Sequence, residues 1–160
     1  MRSTAIGGAL LFAAVLLAIP QLAIAQETVR ITTPAAVSLS VPNVNVDSAA
    51  SAVRVSFDTA VLVPGHRVRI TVRADAANFT SPKAATLLIP ASKLTWTTSN
   101  AASGTGSSGT LTSAAYGAIF DGQPLALSGG VDVAWTLKAP GGGIRAGAHT
   151  LVVRYKVESF

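Results

Sequence analysis

Cysteine is absent from the 160-residue chain, and that absence removes several classes of chemistry together. Disulfide scaffolds, thiolate catalysis, cysteine zinc sites and lipid attachment at a processed N-terminal cysteine all need the thiol. Charge is scarce too, at 12% of residues. Lys and Arg are scattered rather than clustered, unlike the basic stripes that follow a phosphate backbone, so nucleic acid is not an expected partner. Aromatic residues are 6% of the chain, few for the two girdles of a membrane barrel. The supply of titratable groups is also thin, with two His and seven Asp plus Glu. No H-x-H, H-E-x-x-H, Asp-rich calcium loop or G-x-S-x-G elbow accompanies them. Gly104-Thr105-Gly106-Ser107-Ser108-Gly109 spells G-x-G-x-x-G, but it precedes Thr110-Leu111-Thr112 rather than opening a helix. The expectation is a non-enzymatic protein without catalytic residues, metal ligands or cofactors.

One long apolar run is present, at the start. Arg2 supplies a positive n-region, Ala5 to Ile19 is uncharged and rich in Ala, Leu, Ile and Val, and Pro20 follows. Ala23-Ile24-Ala25 places small residues at the −3 and −1 positions of an A-x-A site, so cleavage is expected between Ala25 and Gln26. Residues 1–25 then form a signal peptide and residues 26–160 the exported domain. With no second run of that length, no integral membrane span remains after cleavage. Removing 25 of 160 residues leaves 135, the size of one compact domain. Its formal charge is 11 basic minus 7 acidic, or +4, because Arg2 leaves with the signal. The expected location is secreted, whether extracellular, cell-surface or periplasmic.

In the rest of the chain apolar residues recur at every second position, the period of a half-buried strand. His149, Leu151, Val153, Tyr155 and Val157 read as one face of a strand of roughly nine residues. Val131, Val133, Trp135 and Leu137 mark another, and Val68, Ile70 and Val72 a third that starts after the Pro64-Gly65 turn. Val53, Val55 and Phe57; Val37, Leu39 and Val41; Val29 and Ile31; and Leu94 and Trp96 mark four more. Thr86 to Ile89 and Tyr116 to Phe120 are weaker candidates, the latter closed by Asp121-Gly122. No window carries the helical period over several turns. The pattern predicts a single all-β antiparallel β-sandwich, immunoglobulin-like, of about 7–9 strands. Asn100 to Gly109 and Ala139 to Gly147, built from small and turn-forming residues, are expected to be mobile loops.

Three residues stand out as a contact surface. Arg67, Arg69 and Arg73 share the outward face of one strand at steps of roughly 7 Å, a spacing suited to an acidic glycan or cell-wall polymer. Trp96 and Trp135 lie in phase with Leu and Val neighbours and are expected in the core. His66 is expected on a solvated loop, and His149 at the rim or in the core.

Two resemblances lie in the last third. Val133-Ala134-Trp135-Thr136-Leu137-Lys138-Ala139-Pro140 resembles the distal Trp-x-Leu motif of the bacterial WxL domains, which implies a secreted β-rich surface module. Ala146-Gly147-Ala148-His149-Thr150 is similar to the start of the last strand in pilin-like and spore-coat-U-like sandwiches, which implies an immunoglobulin-like surface module. The function expected is a structural or adhesive role at the bacterial cell envelope or surface, with wall polymer or other surface proteins as partners. Two alternatives remain open, a pilin-like subunit assembling by strand exchange and a small outer-membrane β-barrel.

Overall fold

A computed structural model of the chain describes residues 27–33, 38–41, 45–82, 87–144 and 147–160. The expected signal peptide and the Ala25–Gln26 cleavage site lie outside the described residues. In chain order the strands are β1 (Val29–Thr32), β2 (Ser38–Val41), β3 (Ser48–Ala49), β4 (Val53–Thr59), β5 (Val68–Ala74), β6 (Leu94–Ala102), β7 (Gly104–Gly106), β8 (Gly109–Thr110), β9 (Gly117–Gly122), β10 (Ser128–Leu137), β11 (Gly147–Thr150) and β12 (Val153–Ser159). Among the described residues the helical content is one 3-10 turn, Ala91–Lys93. The fold is all-β.

Two sheets carry most of it. The first runs β1-β4-β10-β6-β8, with β3 also on β10, and the second runs β12-β5-β9-β7. A third pair joins β11 to β2. Every pairing is antiparallel. Alternation explains the packing: Val131, Val133, Trp135 and Leu137 of β10 turn inward with Val55 and Phe57 of β4, against Val68, Ile70 and Val72 of β5 and Phe120 of β9. Phe57 and Phe120 meet across the interface with ring centroids 5.9 Å apart. No strand pairing joins the two main sheets among the described residues. The architecture is a sandwich of antiparallel sheets.

The expected seven to nine strands become twelve among the described residues: β3 and the division of the C-terminal strand add two, and the segment expected to be a mobile loop adds β7 and β8, while residues 87–89 form none. Residues 100–102 extend β6, Ser103 turns the chain at φ 58°, and β7 and β8 follow. The reason is the indole of Trp96. Its Nε1 donates to the Ser107 carbonyl at 2.7 Å, and Gly109 and Gly117 lie so close to the ring that a Cβ would sit 2.5 and 2.9 Å from its carbons. Small residues here let the backbone close over a large ring.

Other expectations shift for similarly local reasons. The nine-residue C-terminal strand is broken at Leu151–Val152, because β11 pairs with β2 and β12 with β5. Val37 and Thr86 lie outside the described residues. Leu87–Ile89 is not a strand; the Ile89 carbonyl accepts from Phe79 N at 2.8 Å, and Pro90 forms an isolated bridge with Asn78. Asp121-Gly122 lies inside β9 rather than at a turn, because a bulge opposite Ile70 and Thr71 lets Ile119 and Phe120 both point inward.

Candidate functional site

The second sheet presents its outer face through the residues of β5 that alternate with buried Val68, Ile70 and Val72. This places Arg69 and Arg73 outward, with Arg67 one step before the strand. The pairing of β12 adds Arg154 opposite Arg73, Lys156 opposite Thr71 and Glu158 opposite Arg69. Strand β9 adds Asp121 opposite Arg69. The three arginines anticipated from spacing do share one face.

They divide into two stations. At one end the guanidiniums of Arg67 and Arg69 lie 5.0 and 4.3 Å from the ring centroid of Phe160, which is held there by reciprocal backbone bonds between Arg67 and Phe160, each 3.1 Å. At the other end the Arg73 guanidinium and the Lys156 ammonium lie 4.8 and 5.8 Å from the ring of Tyr116. A cation over an aromatic ring gains about 0.5–1 kcal/mol at exposed sites and loses rotamer freedom before any ligand arrives. Each ring therefore fixes the charges beside it.

Ion pairing is uneven across the face. Arg69 Nε is 2.6 Å from Asp121, Lys156 Nζ is 2.5 Å from Glu158, and Arg154 pairs with Asp75. The Arg154 hydrogen bond, and then the charges of Arg154 and Arg73, hold the Asp75 carboxyl below its ordinary range. Arg67 and Arg73 have no carboxylate at ion-pair distance among the described residues. Arg73 Nε is also buried without a hydrogen-bond acceptor there. Five cations thus face three carboxylates, and the surplus sits on Arg67 and Arg73.

The outer face of the first sheet is different in kind. Asp132 on β10 accepts from Asn100 Nδ2 at 2.7 Å and from Arg54 at 3.1 Å, which together hold its carboxyl below the ordinary range. Asn100 sits at φ 50° in the bulge where β6 slips against β10. The cluster closes on itself and anchors that bulge.

The remaining sequence candidates fall as follows. Trp96 and Trp135 are buried and meet edge-on at 5.9 Å, so the Trp135-Thr136-Leu137 motif serves the core. His149 is buried in β11. His66 is partly exposed, with Nδ1 3.4 Å from Glu27. No group of three or more His, Cys, Asp or Glu side chains is placed to hold a metal ion among the described residues, and no described helix is long and apolar enough to cross a membrane. Tyr116 and Phe160 are the residues that spacing missed, since their rings reach β5 through sheet pairing and not through proximity in sequence. No protein-family model, curated protein or solved structure matches the chain.

Proposed function

We propose that this chain is an exported, non-enzymatic β-sandwich with a structural or adhesive role at the bacterial cell envelope or surface, contacting an acidic glycan or cell-wall polymer through Arg67, Arg69 and Arg73. The observation that carries the reading is the pair of ring-stacked guanidiniums, Arg67 and Arg73, which have no carboxylate at ion-pair distance among the described residues. Arg presents a planar fork of donors that suits carboxylate and phosphate groups, and stacking leaves that fork preorganised. The net positive charge of the exported part adds long-range attraction that salt weakens. The resemblance to WxL and pilin-like surface modules points to the same compartment. Retention on purified envelope polymer should fall steeply as salt rises and should be lost in the Arg67→Ala/Arg69→Ala/Arg73→Ala protein. Equal retention of both proteins would refute the assignment.

One observation favours a second reading, assembly by strand exchange between copies. Strand β12 pairs with β5 on one side and with no other strand among the described residues, so its far edge offers unpaired backbone groups. Under that reading the exported protein forms sodium dodecyl sulfate-resistant ladders, and a Val157→Pro variant does not. A strictly monomeric exported protein would exclude it.

A further inference from the structure

The two ring-held stations of the arginine face stand at opposite ends of one strand. Arg67 prolongs the ladder between β5 and β12, because its N–H and its carbonyl both bond Phe160 at 3.1 Å, and Arg73 follows it at the sixth residue along the chain. At a rise of about 3.4 Å per residue, the two arginines are roughly 20 Å apart. That spacing is fixed. Strand β5 is hydrogen-bonded on both sides, to β12 through seven residues and to β9 through four, while Val68, Ile70, Val72 and Ala74 are buried beneath it. Each guanidinium is held in turn by its own ring, Arg67 by Phe160 and Arg73 by Tyr116.

Between the stations, charge is taken up within the protein. Arg69 pairs with Asp121 and Lys156 with Glu158, and Thr71, midway along the strand, is buried. The carboxylates at the two ends are engaged as well: Asp75 pairs with Arg154, and Glu27 is held by Ser159 Oγ, Val63 N and His66. The uncommitted guanidiniums therefore lie at the ends, with a middle that pairs internally. A compact anion reaches one of them at a time. An extended chain bearing anionic groups reaches both, and because strand and rings hold the two guanidiniums in place, its second contact is intramolecular and orders little further in the protein.

Resting on the reading that this face binds an acidic polymer, we infer that its ligand is an extended, linear polyanion at least about 20 Å long, gripped at Arg67 and Arg73 together, and not a single acidic sugar, a lipid headgroup or a free phosphate. Titration of the purified protein with oligogalacturonates graded in length from the dimer upward, at one fixed low salt concentration, tests this. Affinity should step up roughly a hundredfold, the low end for two linked contacts, once the extended oligomer passes about 20 Å. Arg67→Ala alone and Arg73→Ala alone should each return the long oligomers to the affinity of the short ones. Arg73→Gln, which keeps a stem beside Tyr116 without the charge, should match Arg73→Ala and so separate lost charge from lost packing. A rise merely proportional to the number of units, or a step that survives either single variant, would overturn the inference and leave a diffuse positive field in its place. Binding at no length would overturn it as well. The polymer assignment fails by a different readout, equal retention of the triple variant on envelope polymer, so the two are told apart.

Discussion

At the residue scale the fold turns on Trp96. Its indole takes Trp135 edge-on, gives its N–H to Ser107, and is overlain by the backbones of Gly109 and Gly117. A methyl at either glycine would have to displace the ring or the strand that carries it. Gly109→Ala should therefore cost about 1–3 kcal/mol of stability, measured as a lowered urea midpoint with an unchanged slope. Both tryptophans are buried, so their emission should be blue-shifted and closed to a soluble quencher in the wild-type protein; in Gly109→Ala the Trp96 contribution should shift to the red. The inward position of each tryptophan was legible from its phase with Leu and Val. That residues 100–109 close over Trp96 was not, because a run of Ser, Gly and Thr reads the same whether it is solvated or pressed against an aromatic ring.

Among the elements, β1 is tied down by side chains as well as by its ladder. It pairs with β4 through four residues, and just before it the Glu27 carboxylate binds Ser159 Oγ at 2.5 Å, Val63 N and His66. The Ser159 hydroxyl, then the Val63 N–H, then His66 hold the Glu27 carboxyl below its ordinary value of 4.5. A depressed carboxyl contributes stability above its unfolded pKa and loses it as pH falls through the lower folded value. Amide exchange in β1 should accordingly quicken as pH is taken below about 4.5, after correction for intrinsic rates, and Glu27→Gln should quicken it at neutral pH while β10 remains protected. The strand itself was readable from Val29 and Ile31. Its anchor was not, since Glu27, Val63 and Ser159 are far apart in sequence and no spacing rule joins them. The same limit explains β11 and β12: alternation runs unbroken from His149 to Val157, and the break reflects the choice of different partner strands.

For the molecule as a whole, all-β character and a two-sheet core follow from period-two alternation and the absence of a helical period, while sheet order required the long-range pairings. Several carboxyls besides Glu27 are held down, Asp47 chiefly by Lys138, Asp75 by Arg154 and Asp132 by Asn100. All contribute above their ordinary range near pH 4, so stability should decline as acid is added below it. Tyr155 acts at the opposite end of the scale. Burial raises its phenol to about 12 from 10.0, so the folded protein keeps a proton that the unfolded chain releases, and stability should fall as pH rises from 10 towards 12. Tyr155→Phe should flatten that alkaline decline in a denaturation series.

The arginine face belongs to this scale too, because Phe160 just after β12 and Tyr116 just before β9 bring their rings to the arginines of β5, and the carboxylates of neighbouring strands decide which charges are left over. Arg69 is ion-paired with Asp121, whereas Arg67 and Arg73 have no carboxylate at ion-pair distance among the described residues. Salt-dependent retention on purified envelope polymer, compared between Arg67→Ala/Arg73→Ala and Arg69→Ala, tests the central claim most directly. The double variant should lose most of the retention and its salt dependence, with Arg69→Ala losing a smaller share because Asp121 already pairs with that arginine; retention unchanged in the double variant would contradict the account.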